Sequence, residues 1–201
     1  MIFDLGGVVL GSPLEAIARY ERELGLPGGL VARVVVETGE AGAWSRLERG
    51  ELPLEAFYGA FERECAEQGG SALSAREMML RVHAATEPRP RMLEAVRRIR
   101  ERGLRTAALT NNWIGDGSGA RALGPVFDLV VESSVVGLRK PDPRIYTHTC
   151  QALGVAPPEA VFLDDIGRNL KAARQLGMRT IKVEHPDAAL RELEALLGFG
   201  L

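Results

Sequence analysis

The sequence contains few cysteines, few aromatic residues and no long apolar run. Its 201 residues include two cysteines, Cys65 and Cys150, and aromatic residues make up 5%. Two cysteines so far apart exclude a disulfide framework and a zinc knuckle, so we expect a protein of the reducing cytoplasm. No apolar run approaches the roughly 18 residues that a membrane span needs, and the first residues lack the features of a signal peptide. We therefore expect no targeting segment and no membrane partner.

An excess of positive charge is also missing. The 25 basic and 27 acidic residues give a formal net charge of -2, and a protein without a basic field is unsuited to hold nucleic acid. Only three of the basic residues are lysines, at positions 140, 171 and 182, and the others are arginines. Hydrophobic residues make up 46% of the chain, which at this length is enough for a buried core.

Short apolar segments that alternate with helical patterns predict an α/β fold. From about residue 86 onward the alternation is that of βα units on a parallel sheet. Between residues 13 and 86, apolar residues recur at helical spacing and little has the character of a strand. The sequence therefore predicts a helical insert after the first of five strands, at residues 1–4, 106–109, 127–131, 160–163 and 180–183. Helices are predicted over residues 90–102, 143–154 and 169–176, and a last helix is marked by Leu190, Leu193 and Leu197.

Polar side chains occur at the predicted carboxyl ends of four strands, where open α/β sheets gather their functional groups. Lys140 lies in an extended loop that the following proline restricts. Parallel topology brings all of these residues to one edge of the sheet. The residues at strand ends are Asp4, Thr110, Asn111, Asn112, Glu132, Asp164 and Asp165.

Asp4 and the acidic pair Asp164 and Asp165 suggest phosphoryl transfer. Asp4 can attack phosphorus and form an aspartyl-phosphate that water later cleaves. Its charge would repel a phosphate dianion without a cation, and Asp4 with Asp165 supplies the hard oxygen ligands that Mg²⁺ prefers. We expect Asp164 to lie behind these ligands and to support them.

Other residues at this edge can bind the transferring phosphoryl group. Thr110 and the backbone N–H of Asn111 can hold its oxygens, and Lys140 can offset their charge as a compact ammonium. Asn169 can orient a water or Lys140. A lysine next to Arg139, in a chain that otherwise uses arginine, gives this role modest support. Taken singly, each residue also fits a turn, a helix cap or a solvated charge, so it is their joint occurrence at strand ends that favours chemistry.

Four ordered segments carry a resemblance to a known family. They are residues 3–8 (FDLGGV), 109–113 (LTNNW), 136–143 (VGLRKPDP) and 161–169 (VFLDDIGRN). In order and across nearly the whole chain, these segments resemble the four motifs of the haloacid dehalogenase (HAD) superfamily. More narrowly, the chain resembles the N-terminal phosphatase domain of bifunctional soluble epoxide hydrolases and the HAD domain fused to acyl-CoA dehydrogenases.

The resemblance implies a hydrolase with a Rossmann-like core and a helical cap. Residues 1–12 and 87–201 would form the core, with a five-stranded parallel sheet of order 3-2-1-4-5, and residues 13–86 would form a C1-type cap. The expected substrate is a small phosphorylated metabolite, and the expected assembly is a monomer or a homodimer. The implied site comprises Asp4 as nucleophile, Lys140 as stabilising cation, Thr110 and Asn111 on the phosphate, and Mg²⁺ on Asp4, Asp165 and the Gly6 carbonyl.

One position departs from the family pattern. Phosphatases of the superfamily usually carry a second aspartate two residues after the nucleophile, where it protonates the leaving oxygen and activates water, whereas this chain has Gly6 there. Glycine can offer its carbonyl to a metal but cannot transfer a proton. Since a positioned acid or base contributes about 10²–10⁴-fold, we expect slow hydrolysis or a preference for good leaving groups.

Three alternatives stay open at this point. A metal-independent haloacid dehalogenase needs no leaving-group acid, although the acidic pair would repel a haloacid carboxylate. A weakly active phosphoacceptor would keep a long-lived aspartyl-phosphate, although receiver domains carry no helical insert over the site. Residues 115–120 match a dinucleotide-binding pattern in its G-x-G-x-x-A form, but they begin beyond the strand end. We therefore favour a Mg²⁺-dependent phosphatase.

The helical insert is expected to set substrate specificity. Trp44, Arg46, Tyr58 and Trp113 are candidates to face the substrate, and Trp113 is preferred because it adjoins the phosphate loop. Trp44 and Tyr58 could instead pack within the insert, and Arg46 could face solvent. The sequence does not rank sugar, lipid and other metabolite phosphates.

Overall fold

The computed structural model describes residues 1–70, 72–114 and 123–201. Five strands form one sheet of order β3-β2-β1-β4-β5, and every neighbouring pair is parallel. This arrangement confirms the predicted Rossmann-like sheet and its strand order. The strands are β1 (Ile2–Phe3), β2 (Ala107–Thr110), β3 (Leu129–Glu132), β4 (Val161–Asp164) and β5 (Arg179–Lys182).

The strands lie where the sequence predicts them, but their bounds differ by one or two residues. Thr110 and Asp164 were expected just after their strands and are instead the last residues of β2 and β4. Thr110 pairs with Glu132 and Asp164 pairs with Lys182 across the sheet. The backbone ladder thus extends one residue beyond each apolar run, because it depends on main-chain hydrogen bonds and not on side-chain polarity.

Helices cover both faces of the sheet. One face packs against α6 (Pro90–Glu101) and α10 (Pro186–Leu197), and the other packs against α8 (Pro143–Leu153) and α9 (Gly167–Gln175). A short helix, α7 (Ser133–Val136), follows β3. Because successive side chains of a strand point to opposite faces, Ile2 joins one hydrophobic core and Phe3 the other. Both faces are therefore buried, as parallel sheets require.

Helix α9 begins two residues earlier than the sequence predicts. Ile166 has extended backbone angles, and its N–H donates to Asp164 Oδ1 over 2.7 Å. This turn lets the helix start at Gly167 and places Asn169 in the first helical turn. The side chain of Asn169 is thereby directed back toward the strand end.

The insert between the first two strands consists of helices joined by loops and turns, with no strand among its described residues from 13 to 86. Its helices surround a hydrophobic core of their own, which includes Phe57, Phe61 and the thiol of Cys65. We retain residues 13–86 as the predicted extent of a cap domain and call them the helical segment. Its helices are α1 (Pro13–Glu23), α2 (Leu30–Thr38), α3 (Ala43–Glu48), α4 (Leu54–Glu67) and α5 (Ala75–Ala85).

A buried carboxylate fixes α2 within the helical segment. Glu21 on α1 accepts hydrogen bonds from the N–H groups of Gly29 and Val31, each over 2.8 Å. A negative charge at these N–H groups satisfies free donors and is favoured by the helix dipole. These hydrogen bonds fix the start of α2 relative to α1. No helix in the described part of the chain is both long and apolar enough to span a membrane.

The stability of the helical segment depends on its aromatic core. Phe57 is fully buried, stacks on Phe61 at 5.1 Å between ring centroids and contacts Trp44 at 5.8 Å. We expect Phe57→Ala to lower the free energy of unfolding by about 3–5 kcal/mol, because it removes buried area and leaves a cavity. Urea denaturation followed by circular dichroism measures this loss. Leu80→Ala, at an exposed residue of α5, is the control and should change stability by less than about 0.5 kcal/mol. Equal losses would contradict the prediction.

Candidate active site

The carboxyl ends of the strands open into a cavity of about 480 Å³ between the sheet and the helical segment. Asp164 lies beneath its floor and is fully buried. Arg46, Tyr58 and Glu132 are not among the lining residues, and Glu132 instead accepts a hydrogen bond from the Asn112 side chain. The predicted residues that line the cavity are Asp4, Gly6, Trp44, Thr110, Asn111, Trp113, Lys140, Asp165 and Asn169.

Asp4 follows the central strand and points into the cavity floor. Its N–H donates to the Leu163 carbonyl of β4, which extends the backbone pairing of the short strand β1. One carboxylate oxygen accepts the N–H of Leu5 over 2.7 Å and lies 2.7 Å from Lys140 Nζ. Both Asp4 oxygens are thus held in one orientation by the turn that ends β1 and by an ammonium.

Lys140 is a buried cation between two carboxylates. Only 1% of the residue is exposed, and Nζ lies 2.7 Å from Asp4 Oδ1 and 2.8 Å from Asp164 Oδ2. Asp164 also accepts hydrogen bonds from the Asn169 amide at 3.1 and 3.2 Å. A buried charge needs such partners, since its desolvation is otherwise very costly. Asp164 and Asn169 therefore orient the lysine toward Asp4.

Asn111 joins the loop after β2 to the loop that carries Lys140. Its Oδ1 accepts the Lys140 N–H over 2.8 Å, and its Nδ2 donates to the Lys140 carbonyl over 3.0 Å. The hydroxyl of Thr110 donates to the Asn111 carbonyl over 3.4 Å. From the sequence, we predicted that the backbone N–H of Asn111 contacts phosphate, and we predicted no role for its side chain. In the structure that side chain fixes the position of Lys140.

Three carboxylates offer a site for a cation. Oxygens of Asp4, Asp164 and Asp165 all lie within 4.8 Å of one another. Gly7 has φ of 77°, and a Cβ there would collide with the Asp165 carboxylate, so the turn after Asp4 needs glycine to admit Asp165. The oxygens of Asp164 are occupied by Lys140, Asn169 and the Ile166 N–H. Asp4 and Asp165 therefore remain as ligands, and hard oxygen donors of this kind suit Mg²⁺.

The sequence model of haloacid dehalogenase-like hydrolases matches residues 1–177. The chain belongs to this family. Over the whole length of this chain, it is 42% identical to acyl-CoA dehydrogenase family member 10 of Mus musculus and 38% identical to bifunctional epoxide hydrolase 2 of Sus scrofa. These matches span only 19% and 39% of the two relatives, which are far longer proteins. A phosphatase of Mycobacterium tuberculosis is 32% identical over 94% of this chain and 83% of its own length.

Solved structures share the fold. A HAD-like hydrolase from Porphyromonas gingivalis superposes with a TM-score of 0.71 at 24% identity, over 98% of this chain and 96% of its own. A HAD-family enzyme from Bacteroides thetaiotaomicron, crystallised with magnesium and inorganic phosphate, gives 0.64 at 19% identity, over 90% and 91% of the two chains. This HAD hydrolase therefore has the fold as well as the motifs of its family.

Electrostatics in this HAD hydrolase favour a bound cation. Burial raises the pKa of Asp4 above its ordinary value, against the opposing effect of the Lys140 ammonium. Burial, together with the charge of Asp164, raises the pKa of Asp165 to about 6. Burial disfavours the charged form of Lys140, but Asp164 and Asp4 outweigh this effect and raise its pKa. One ammonium thus faces three carboxylates, and the surplus negative charge attracts a divalent cation.

The position that departs from the family pattern is crowded by the helical segment. A Cβ at Gly6 would lie 3.1 Å from Cγ and 3.2 Å from Cδ of Pro13, the first residue of α1. Contacts of this length require the proline ring to shift. In this HAD hydrolase the close approach of α1 therefore leaves little spare space on the Pro13 side of Gly6.

The apolar wall of the cavity was not predicted from the sequence. It consists largely of α1 and α2, with Trp44 and Trp113 beside them, and the two indoles meet edge to face at 6.5 Å between centroids. Trp113 Nε1 is buried and finds no hydrogen-bond partner within the described residues. Glu48 and Arg139 also line the cavity. The sequence analysis did not identify them as site residues, because charged residues of this kind are common on any exposed helix or loop. The apolar residues are Leu14, Ile17, Ala18, Val31, Ala32, Val35, Val36 and Val82.

Cation binding at this site should depend on pH. Because the pKa of Asp165 is raised to about 6, protons compete with the cation below that pH, and the raised pKa of Asp4 acts in the same direction. We expect Mg²⁺ affinity, measured by isothermal titration calorimetry, to fall by up to about tenfold per pH unit for each competing proton as pH decreases through 6.

Two aspartate variants check this assignment. Asp165→Asn should abolish Mg²⁺ binding, whereas Asp187→Asn, at a largely exposed aspartate paired with Arg91, should leave it unchanged. Affinity that stays constant between pH 5 and 7, or a wild-type affinity in Asp165→Asn, would show that the cation binds elsewhere.

Proposed function

We propose that this HAD hydrolase is a Mg²⁺-dependent phosphomonoesterase that works through an aspartyl-phosphate on Asp4. The observation that carries the proposal is the floor of the cavity, where the carboxylate of Asp4 lies 2.7 Å from the buried ammonium of Lys140 and close to Asp165. A nucleophile, a fixed positive charge and oxygen ligands for a cation are the requirements of phosphoryl transfer. The phosphatase among its relatives, which the chain matches over most of its length, supports the same activity.

In the first step an Asp4 oxygen attacks phosphorus. A bond forms between that oxygen and phosphorus, and the bond between phosphorus and the ester oxygen breaks. Thr110 and the backbone of Asn111 would hold the phosphoryl oxygens, while Lys140 would offset their charge. Bound Mg²⁺, held by Asp4, Asp165 and the Gly6 carbonyl, would reduce the repulsion between the nucleophile and the phosphate dianion.

In the second step water attacks the phosphorus of the aspartyl-phosphate, which releases inorganic phosphate and restores the Asp4 carboxylate. Both steps require proton transfer: the leaving oxygen gains a proton and the attacking water loses one. Gly6 provides no acid or base, and the Pro13 ring restricts the space beside it. Solvent must then supply the first proton and accept the second, so esters of acidic alcohols and phenols should react fastest.

Replacement of the nucleophile tests the covalent route. With 4-nitrophenyl phosphate and Mg²⁺, we expect Asp4→Asn to reduce kcat by at least about a thousandfold, because the amide cannot form the phosphorylated intermediate. Asp187→Asn serves as the matched control and should keep wild-type kcat. Equal rates for Asp4→Asn and wild type would exclude Asp4 as the nucleophile.

Two further measurements distinguish the proposed phosphatase from a dehalogenase and from a phosphoacceptor. Chloride or fluoride release from haloacids without metal would indicate a dehalogenase. An aspartyl-phosphate that persists for minutes, detected by mass spectrometry after exposure to an acyl phosphate, would indicate a phosphoacceptor. A lifetime of seconds or less supports an enzyme that turns over.

The apolar wall favours a substrate with an apolar organic group. Most of the polar lining residues belong to the strand ends and the loops after them, whereas α1 and α2 line the cavity largely with apolar side chains such as Ile17, Val31 and Val35. Burial of apolar surface stabilises binding by about 0.8 kcal/mol per methylene. A sugar hydroxyl would find few partners on this wall. We therefore include in the proposal a phosphomonoester whose alcohol or phenol carries a hydrocarbon chain.

A series of 4-alkylphenyl phosphates tests this substrate class, because the leaving group stays similar while the apolar tail grows. We expect KM to fall by about two- to fourfold per added methylene until the cavity is filled, with little change in kcat. Val36→Ser, at an exposed residue of the cavity rim, should weaken this dependence. Val135→Ser, at an equally exposed valine outside the cavity, should not. A KM independent of tail length would contradict the apolar substrate class but leave the phosphatase proposal standing.

A further inference from the structure

Glu48 is a buried carboxylate of the helical segment that contacts the sheet. It is the last residue of α3 and is 7% exposed. Its Oε2 accepts Arg139 Nε over 2.7 Å and Asn111 Nδ2 over 3.2 Å, while its Oε1 accepts the Trp44 indole N–H over 2.9 Å. Two of the three donors belong to the loop after β2 and to the loop after α7, the short helix that follows β3. One side chain of the helical segment thus holds both loops.

The loops held by Glu48 carry the groups that surround the reacting phosphoryl group. The Asn111 side chain that donates to Glu48 also bonds the N–H and the carbonyl of Lys140. Lys140 in turn places its ammonium 2.7 Å from Asp4. A continuous path of polar contacts therefore runs from α3 to Asp4, and its members are buried except for Asn111, which is partly buried.

Arg139 makes this contact dependent on charge. Its side chain is slightly more buried than that of Glu48, and its other carboxylate partner, Glu40 at 3.2 Å, is 71% exposed. Water screens an exposed partner strongly and a buried one weakly. Glu48 is consequently the main counter-charge of Arg139, whose neighbour in sequence is Lys140.

We propose that Glu48 is a positioning residue: it aligns Asn111 and the Lys140 loop with Asp4 when the helical segment lies over the sheet. The alignment of the phosphate site then depends on the same contact that closes the cavity. This inference rests on the proposed phosphatase function. Glu48 itself transfers no proton, because both of its oxygens are occupied by donors.

Two features of the chain make the contact measurable without an activity assay. Its two tryptophans, Trp44 and Trp113, meet beside Glu48, so intrinsic fluorescence reports on this region. The Lys140 N–H is protected by Asn111, so its hydrogen exchange reports on the alignment of the loop.

Glu48→Gln is the decisive variant, because it keeps the shape of the side chain but turns an NH₂ group toward donors. We expect kcat for 4-nitrophenyl phosphate to fall by about ten- to a hundredfold with a small change in KM, since misplacement by about 1 Å can cost a hundredfold. Tryptophan emission should shift, and the peptide containing Lys140 should exchange faster. Glu51→Gln, at a carboxylate paired with Arg49 near the surface, is the matched control and should behave as wild type.

The outcomes distinguish this inference from the function on which it rests. An inactive wild-type protein would overturn the proposed phosphatase, and hydrogen exchange would still test the contact. An active wild type with unchanged kcat, emission and exchange in Glu48→Gln would overturn the inference alone. If Glu48→Gln does not fold, Arg139→Gln and the double variant replace it. The two amides of the double variant can bond each other, so its kcat should be no lower than that of Arg139→Gln, and a further loss would contradict the coupling.

Discussion

The burial of the Lys140 ammonium is the constraint on which the rest of the site depends. A cation that is 1% exposed must be surrounded by negative charge, and Asp4 and Asp164 provide it from the ends of two adjacent strands. Asp164 is fixed by the Ile166 N–H and the Asn169 amide, and the backbone of Lys140 is fixed by Asn111. Four loops at one edge of the sheet are thereby drawn together. The carboxylate of Asp4, the proposed nucleophile, acquires its orientation from the same contacts that satisfy the buried charge.

The cavity above this charged floor has an apolar wall because α1 and α2 pack over it. The first residue of α1 also packs close to Gly6, because Pro13 Cγ lies 3.1 Å from the point where a Cβ at that position would be. The helix that forms part of the cavity wall thus also narrows the space beside the position that departs from the family pattern. Because the Lys140 ammonium is itself buried, solvent screens it less than an exposed charge, and its effect on a charge in the cavity is stronger than it would be in water. For the proposed phosphatase, charge stabilisation without a positioned proton donor suits esters with good leaving groups.

The helical segment is joined to the sheet by polar contacts as well as by apolar ones. It has a hydrophobic core separate from the two cores that flank the sheet, so its position over the site is set by contacts at the boundary. The tryptophan pair contributes apolar area there, and Glu48 adds hydrogen bonds that only a particular arrangement of the loops can satisfy. Directional contacts of this kind favour one relative position over its neighbours.

Much of the fold followed from the sequence. Apolar runs of strand length, glycines after helices and a helical pattern between residues 13 and 86 determined the α/β class and the number of strands. The resemblance to HAD hydrolases supplied the strand order and the roles expected for Asp4, Lys140 and Asp165. Residues 115–120, whose glycines match a dinucleotide pattern, lie outside the part of the chain that the structure describes.

Local sequence determines the strands, the helices and the residues at the strand ends, because hydrogen-bonding propensity and apolar periodicity act over short distances. Only the tertiary structure decided which side chains line the cavity and which support others. Only the backbone of Asn111 was expected to have a role, but its side chain holds the Lys140 backbone. Glu48 and Arg139 form an ion pair although they are 91 positions apart in the sequence. Contacts between residues so far apart in the sequence arise when separate elements pack together, and no local pattern encodes them.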